Sequence, residues 1–509
     1  MLGAGSRTEK VSNRVVDEST VVRNEPAQRS LGQTILRNTL FVSSGGGLVR
    51  LLSFAYTIFY VRMLGEHVFG QYATVLAFTG LFSIFFELGM TQYVERSLAQ
   101  DRARLPELLW MLVIVRLALA LAGILLLPVM AFALGYEQLI VLCVLVQSLS
   151  FIFAALLAPL MAILTSHERY DLWTACQVVG QLGTIGLGAS VLWLGGGLVL
   201  LMLSGLVVML LQIVYCLLAI RRSRIGSLRF HFEPSHVPAF LRASLPFALT
   251  ALALTISFNI DTFLLSLLQP SNVVGWYSAA YRLVPTMVSI LGGFLVVITP
   301  SLARTYLSDR ETVHRWTRTS IKWLAMFGLP VAVGTSLLAA QIIGLLYGPS
   351  FAPAAAVLAL ISLDIPLRLF NAFAGNVTAA VGLEHSAWRT FMSGALLGVL
   401  LYPPAILLFG MLGAAAVTVL TDGLNAALFY RLLGKQLHAN EVGTTLLKVG
   451  AATLLMGLSV WALRPLVLLP VVVIAGMLTY LVAALALGLI DQQLLSRMAG
   501  LLAKGRRTS

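Results

Sequence analysis

Apolar runs of about 20 residues, each closed by a short polar or Gly-rich stretch, recur from residue 35 to residue 490. A helix that crosses a bilayer needs about 20 such residues. On that measure the chain predicts about fourteen spans, at 35–61, 69–92, 107–134, 139–164, 174–195, 198–220, 243–268, 276–303, 321–346, 354–379, 387–409, 412–433, 445–463 and 470–490. The separations at Gly195 to Gly197 and at Gly410 to Gly413 are no more than Gly-rich turns. The expected fold is an all-α integral membrane protein, because lipid offers no partner to an unpaired backbone group.

Charge follows the same alternation. Loops after even-numbered spans carry Arg96, Arg102, Arg104, Arg169, Arg221, Arg222, Arg224, Arg229, Arg304, Arg310, Arg315, Arg318, Arg431 and Lys435, and the chain finishes with Arg506 and Arg507. Loops after odd-numbered spans hold little beyond Arg62 and Arg464. Basic loops stay on the cytoplasmic side. The bias therefore expects an even number of spans, both termini in the cytoplasm, and a multi-pass location in the cell inner (cytoplasmic) membrane. Residues 1–33 lack an apolar core and hold Arg7, Lys10, Arg14, Arg23 and Arg29. They read as a basic cytoplasmic tail of disordered composition, not a cleavable signal.

Composition agrees. Apolar residues make up 59% and charged residues 11% of the chain, against roughly 25% charged in soluble domains. The net charge of +13 could suggest nucleic acid, but it sits in alternate short loops. No basic motif is interleaved with aromatics in the way nucleic-acid modules require. The partners expected are membrane lipids, not nucleic acid. Cys143, Cys176 and Cys216 all fall in apolar runs without metal-ligand spacing and read as small apolar fillers. No phosphate loop, H-E-x-x-H or G-x-S-x-G occurs. The loops on the outer side, such as 269–274 and 348–353, are too short for a catalytic domain. A transporter is expected rather than an enzyme.

The chain also repeats. Leu36-Arg37 and Leu241-Arg242 precede the first and seventh spans at an offset of about 205. Phe69-Gly70-Gln71-Tyr72 answers Val274-Gly275-Trp276-Tyr277 at that offset, and Ser97-Leu98-Ala99 answers Ser301-Leu302-Ala303 one residue out of register. This order predicts two lobes of about six helices related by an axis along the membrane normal. The expected domains are the tail 1–33, a first lobe 34–221, a linker 222–242, a second lobe 243–434, a final helix pair 435–490 and a cytoplasmic tail 491–509.

Eight ionisable residues fall inside spans: Arg50, Glu87, Arg116, Asp261, Arg282, Asp364, Arg368 and Asp422. Each is costly against lipid and should face protein or a water-filled cavity. Asp364 and Arg368, one turn apart, can neutralise each other. Asp261 with Arg282, and Glu87 with Arg116, are further structural pairings open to the chain. Asp422 has no evident neighbour. Arg50 stands near the middle of the first span. The functional alternative is a cationic cavity between the lobes lined by Arg50, Arg116, Arg282 and Arg368. An arginine fork suits a diphosphate. Glu87, Asp261, Asp364 and Asp422 are then the candidates for ion coupling or for counter-ions. Gly45 to Gly47 allow either close packing or a bend, and Pro246, Pro285, Pro330 and Pro366 are candidate kinks.

Arg62-Met63-Leu64-Gly65, Phe69-Gly70-Gln71-Tyr72, Glu87-Leu88-Gly89-Met90 and Arg96-Ser97-Leu98-Ala99 resemble the opening of bacterial polysaccharide transporters. Leu245-Pro246, Asn259-Ile260-Asp261, Val274-Gly275-Trp276-Tyr277-Ser278-Ala279-Ala280 and Tyr281-Arg282-Leu283 are similar to that family's central signature. The resemblance, over about residues 33 to 490, is to O-antigen and exopolysaccharide flippases. Their superfamily includes multidrug-and-toxin extrusion proteins and lipid II flippases. It implies two lobes in a V with two extra C-terminal helices. It also implies transfer of an undecaprenyl-diphosphate-linked oligosaccharide to the outer leaflet by alternating access. No cofactor is implied beyond sodium or proton coupling. A polysaccharide polymerase or assembly machinery is the implied partner. The alternatives are an ion-coupled multidrug or organic-cation antiporter and a lipid II flippase.

Overall fold

The computed structural model describes residues 25–101, 104–223, 225, 231–292, 310–380, 382–434 and 439–489, with the backbone alone at 25–48, 250, 310, 312–314, 379–380, 384–385 and 439–442. Among these residues the chain is helical, without strands. In order the helices are α1 Glu25–Phe82, α2 Ile84–Glu87, α3 Met90–Gln100, α4 Leu105–Ala133, α5 Gln138–Ser166, α6 Tyr170–Trp193, α7 Leu198–Ser223 and α8 Val237–Leu268. Then follow α9 Ser271–Leu291, α10 Arg310–Leu337, α11 Ala339–Tyr347, α12 Ala354–Ile361, α13 Asp364–Ala380, α14 Glu384–Leu433, α15 Ala439–Leu463 and α16 Leu469–Ala486. Nine helices among the described residues are long and apolar enough to cross a membrane, or up to eleven if each of two bent pairs is one span.

Two of the longest helices reverse direction. Gly65 (φ 69°, ψ 171°) breaks α1 and Gly410 (φ 57°, ψ −136°) breaks α14. Tyr60 and Tyr72 lie with ring centroids 5.6 Å apart, where a straight helix would separate twelve residues by about 18 Å. Likewise Tyr402 Oη lies 3.1 Å from Thr418 Oγ1. Both reversals fall where the apolar pattern puts turns, and glycine supplies the positive φ without a Cβ clash.

Other boundaries differ from the sequence reading. Helical backbone begins at Glu25, inside the stretch read as a tail; the rest of that stretch lies outside the described residues. Gly45 to Gly47 continue the helix, so no bend forms there. The second span is not straight but turns by 41° into α3, with Leu88 and Gly89 in the left-handed region. The tenth is broken by 45° between α12 and α13. Pro366 stands in the first turn after that break, where a missing N–H leaves no helix bond unmade. Pro246, Pro285 and Pro330 lie within helices. The end of the eighth span (293–303), its basic loop and the tail 491–509 lie outside the described residues.

Packing joins the early and late parts of the chain at two levels. The repeated motifs meet each other: a Cβ on Gly70 would fall 1.7 Å from the Ser271 carbonyl oxygen, and one on Gly275 2.0 Å from that of Glu66. Nineteen residues further, about 28 Å along the helix direction, Gly89 lies against the Phe247–Ala248 backbone, where a Cβ would stand 2.4 Å from the Ala248 nitrogen. Tyr93 packs there on Phe240 and Phe247, and Arg96 lies over the Phe247 ring. Small residues at such crossings let helices approach where lipid provides no hydrophobic drive between them. The appended pair α15 and α16 packs on α10.

Candidate functional site

Between the two crossings a cleft of ≈ 160 Å³ opens. Ala73 and Ala77 of α1, Asn259 and Thr262 of α8, and Tyr281 and Arg282 of α9 are among its lining residues. Arg282 sits in an aromatic cage: its guanidinium carbon lies 5.8, 5.6 and 5.7 Å from the centroids of Tyr60, Phe69 and Tyr72. It donates to Tyr60 Oη at 2.6 Å. Ring faces stabilise a desolvated cation, so this arginine is held without a carboxylate among the described residues. The pairing with Asp261 open to it in sequence does not form. Phe69 and Tyr72 reach the cage because Gly65 folds α1 back on itself.

Behind Tyr281 lies a second cluster. Arg368 of α13 pairs through Nε with Asp364 and, at 3.2 Å, with Asp422 of α14. Its Nη2 donates to Tyr281 Oη at 3.1 Å, and its guanidinium lies 5.1 Å from that ring's centroid. The Asp364–Arg368 contact is the one-turn pair the sequence offers, now extended across helices to Asp422. Asn371 donates to the Asp422 carbonyl at 3.0 Å. Asp261 is fully buried; it accepts from Tyr277 Oη at 2.7 Å and from the Thr262 amide at 2.6 Å. Tyr277 and Tyr402 both meet Thr418 Oγ1, at 3.3 and 3.1 Å, linking α8, α9 and α14. Two carboxylates thus share one guanidinium, and a third, Asp261, is buried behind Tyr277 without an ion-pair contact to Arg368. Burying charge in that imbalance is expensive, and a proton or a bound cation relieves it.

The remaining candidates lie apart. Arg50 is exposed on α1 and donates to the Ser289 carbonyl of α9 at 3.3 Å. It stands fifteen residues before Gly65, about 22 Å down the helix. Arg282 and Ser289 are two turns apart on α9, so Arg50 and Arg282 occupy different levels of one α1–α9 seam. Arg116 donates to Thr91 Oγ1 at 2.8 Å and shares a separate cleft with Glu87, without a direct ion pair between them. Among the described residues no group of three or more His, Cys, Asp or Glu could hold a metal ion. Cys176 and Cys216 are buried, with their sulfurs 3.2 Å apart.

The charged positions in the spans do not by themselves point to the tyrosines and asparagine beside them. Tyr60, Tyr277, Tyr281, Tyr402 and Asn371 carry much of both clusters. The available signal was spacing: Tyr277 and Tyr281 lie one turn apart, and Asn371 follows Arg368 by three residues.

Residues 35–306 match the family described as polysaccharide biosynthesis protein, over more than half of the chain. The chain belongs to the polysaccharide biosynthesis protein family. It is 27% identical over 235 residues to the probable flippase AglR of Haloferax volcanii, a match covering 43% of this chain and 48% of that protein. The chain therefore spans about half the length of that curated relative. In fold it is similar to the lipid II flippase MurJ in an inward closed conformation, with a TM-score of 0.74 at 16% identity, covering 88% of this chain and 98% of the other. An inward-facing multidrug resistance MATE family transporter of the MOP superfamily matches with a TM-score of 0.64 at 16% identity, over 78% and 95%. These likenesses show that the chain shares the fold of those proteins.

Proposed function

We infer that this chain is a flippase that moves undecaprenyl-diphosphate-linked oligosaccharide repeat units across the cytoplasmic membrane for polysaccharide (O-antigen, capsule or exopolysaccharide) biosynthesis. The observation that carries this reading is the α1–α9 seam, which places Arg50 and Arg282 along one path with no carboxylate among the described residues paired to either. A diphosphate suits such a path, because an arginine fork donates two hydrogen bonds to it and never deprotonates. Family membership and the likeness to AglR support the same substrate class.

Movement in this reading is alternating access between two six-helix lobes, with the crossings at Gly70–Gly275 and at Gly89–Ala248 opening in turn. Asp261, Asp364 and Asp422 around Arg368 are the coupling site, taking up a proton or a sodium ion. Both termini are cytoplasmic, and a polymerase receives the delivered unit. Deleting the gene from a strain with no redundant flippase is expected to abolish the surface or secreted polysaccharide and to accumulate lipid-linked units on the cytoplasmic side; normal polysaccharide in that strain rejects the proposal. The excess of carboxylates over arginine in the Arg368 cluster favours one second reading, an ion-coupled multidrug antiporter. Energy-dependent drug resistance on overexpression, without a polysaccharide defect, would select it.

A further inference from the structure

Three sulfurs from three helices meet in the first half of the chain. Cys216 Sγ of α7 stands 3.2 Å from Cys176 Sγ of α6 and 3.8 Å from Met161 Sδ of α5. α7 packs against both of the other helices. The two thiols are fully buried, and Met161 is half-buried at the edge of the same apolar cluster, with Leu160, Ile163 and Ile213 beside them. The Gln212 carbonyl oxygen lies 3.9 Å from Cys176 Sγ. The set escapes a search confined to His, Cys, Asp and Glu because its third member is a thioether.

The spacing separates two kinds of sulfur chemistry. Sulfurs joined in a disulfide stand about 2.05 Å apart. Sulfurs bound at ~2.3 Å to one ion, in a trigonal or tetrahedral array, stand about 3.8–4.0 Å apart. The Met161–Cys216 distance already fits the second value, and the thiol pair lies nearer to it than to the first. A disulfide would also leave the thioether no part to play.

The site has a side of approach. Met161 stands five residues before the end of α5, Cys216 seven before the end of α7, and Cys176 six after the start of α6. The cluster is therefore about 8–10 Å from the end of these helices that carries Arg169, Arg221 and Arg222. Met161, less buried than the two thiols, gives the path inward.

Softness and charge select the ion. Thiolate and thioether sulfur suit Cu(I). Structural zinc takes four ligands drawn from cysteine, histidine and carboxylate, which a thioether does not supply. One Cu(I) displaces one thiol proton to water and forms a copper–thiolate bond, with the second thiol and the thioether as neutral donors. The unit that results is neutral, so the apolar surroundings take up no net charge. No electron moves.

We propose that Met161, Cys176 and Cys216 form a binding site for a soft monovalent metal ion, Cu(I), which clamps α5, α6 and α7 to one another. The site shares no residue with the Arg282 or Arg368 clusters. It does not depend on what the protein transports.

The test uses the full chain in neutral detergent, without oxygen, with Cu(I) presented from a chelator buffer under ascorbate. Bound metal is counted by native mass spectrometry, thermal unfolding is followed, and X-ray absorption reads the ligand shell. One Cu(I) per chain should be retained, with a sulfur shell at ~2.3 Å and a raised melting temperature. Cys176→Ser and Cys216→Ser should abolish binding. Met161→Leu should weaken it about tenfold or more, since even outer-shell changes at metal sites cost 10- to 100-fold. Cys143→Ala, which removes the cysteine outside the cluster, should leave it unchanged. If a serine variant does not fold, the volume-conserving Met161→Leu carries the test. Unchanged affinity in Met161→Leu would overturn the three-sulfur site, and equal retention of Zn(II) would overturn the assignment to a soft monovalent ion. A chain that retains no Cu(I), whether or not mild oxidation joins Cys176 to Cys216, would overturn the proposal outright.

Discussion

Arg50 and Asp364 carry opposite kinds of constraint. Arg50 is exposed at the α1–α9 seam and donates to a backbone carbonyl, so replacing it should leave folding intact and act on transport. Arg50→Ala is expected to lower export roughly 10- to 100-fold, the factor for losing charge-assisted hydrogen bonds. Arg50→Lys, which keeps the charge but loses the fork, should fall between. Export at the wild-type level from a normally expressed Arg50→Ala protein would take the residue out of the mechanism. Asp364 has a fully buried side chain, whereas that of Asp422 is 19% exposed. Removing one partner of a buried pair costs about 3–5 kcal/mol. Asp364→Asn should therefore lower the melting temperature in detergent more than Asp422→Asn does. Equal shifts would mean that Arg368 draws on both carboxylates alike.

Among the helices, the glycine crossings are the sharpest structural demand. A Cβ at Gly70 would stand 1.7 Å from the Ser271 carbonyl oxygen, a backbone atom that cannot rotate aside. Gly70→Ala should push α1 and α9 apart and cost about 1–3 kcal/mol, the usual range for overpacking. Gly344 in α11 meets nothing within 4 Å. Gly344→Ala should be neutral or stabilising by up to about 1 kcal/mol through helix propensity. Thermal melts of the two variants side by side test this contrast, and a Gly70→Ala protein as stable as wild type would refute the close crossing. In sequence, the recurrence of glycine at the same place in both halves was legible, but not that the two glycines meet.

For the whole molecule, both crossings are closed together, at levels about 28 Å apart. Alternating access requires each to open. In a background without Cys143, Cys176 and Cys216, cross-linking Tyr93→Cys to Phe240→Cys, whose rings lie 5.6 Å apart, is expected to stop transport, and reduction to restore it. Undiminished transport with the cross-link complete would show that this end never needs to part.

The sequence by itself determined the solvent, the helical class and the positions of the turns, because each depends on local composition. A run of about 20 apolar residues crosses lipid whatever its neighbours are, and Gly65 and Gly410 interrupt such runs. It also exposed the eight costly charges, because each stands out against an apolar background, and one pairing, Asp364 with Arg368, because one helical turn suffices to make it. Only the tertiary structure decided the rest. Asp422 found Arg368 across two helices. Arg282 was neutralised by rings rather than by Asp261, since the fold-back at Gly65 brings Phe69 and Tyr72 beside Tyr60. Tyr281 joined the cleft to the buried carboxylates. Those contacts depend on how helices far apart in sequence rotate and cross, which the apolar pattern leaves open because lipid accepts nearly every face.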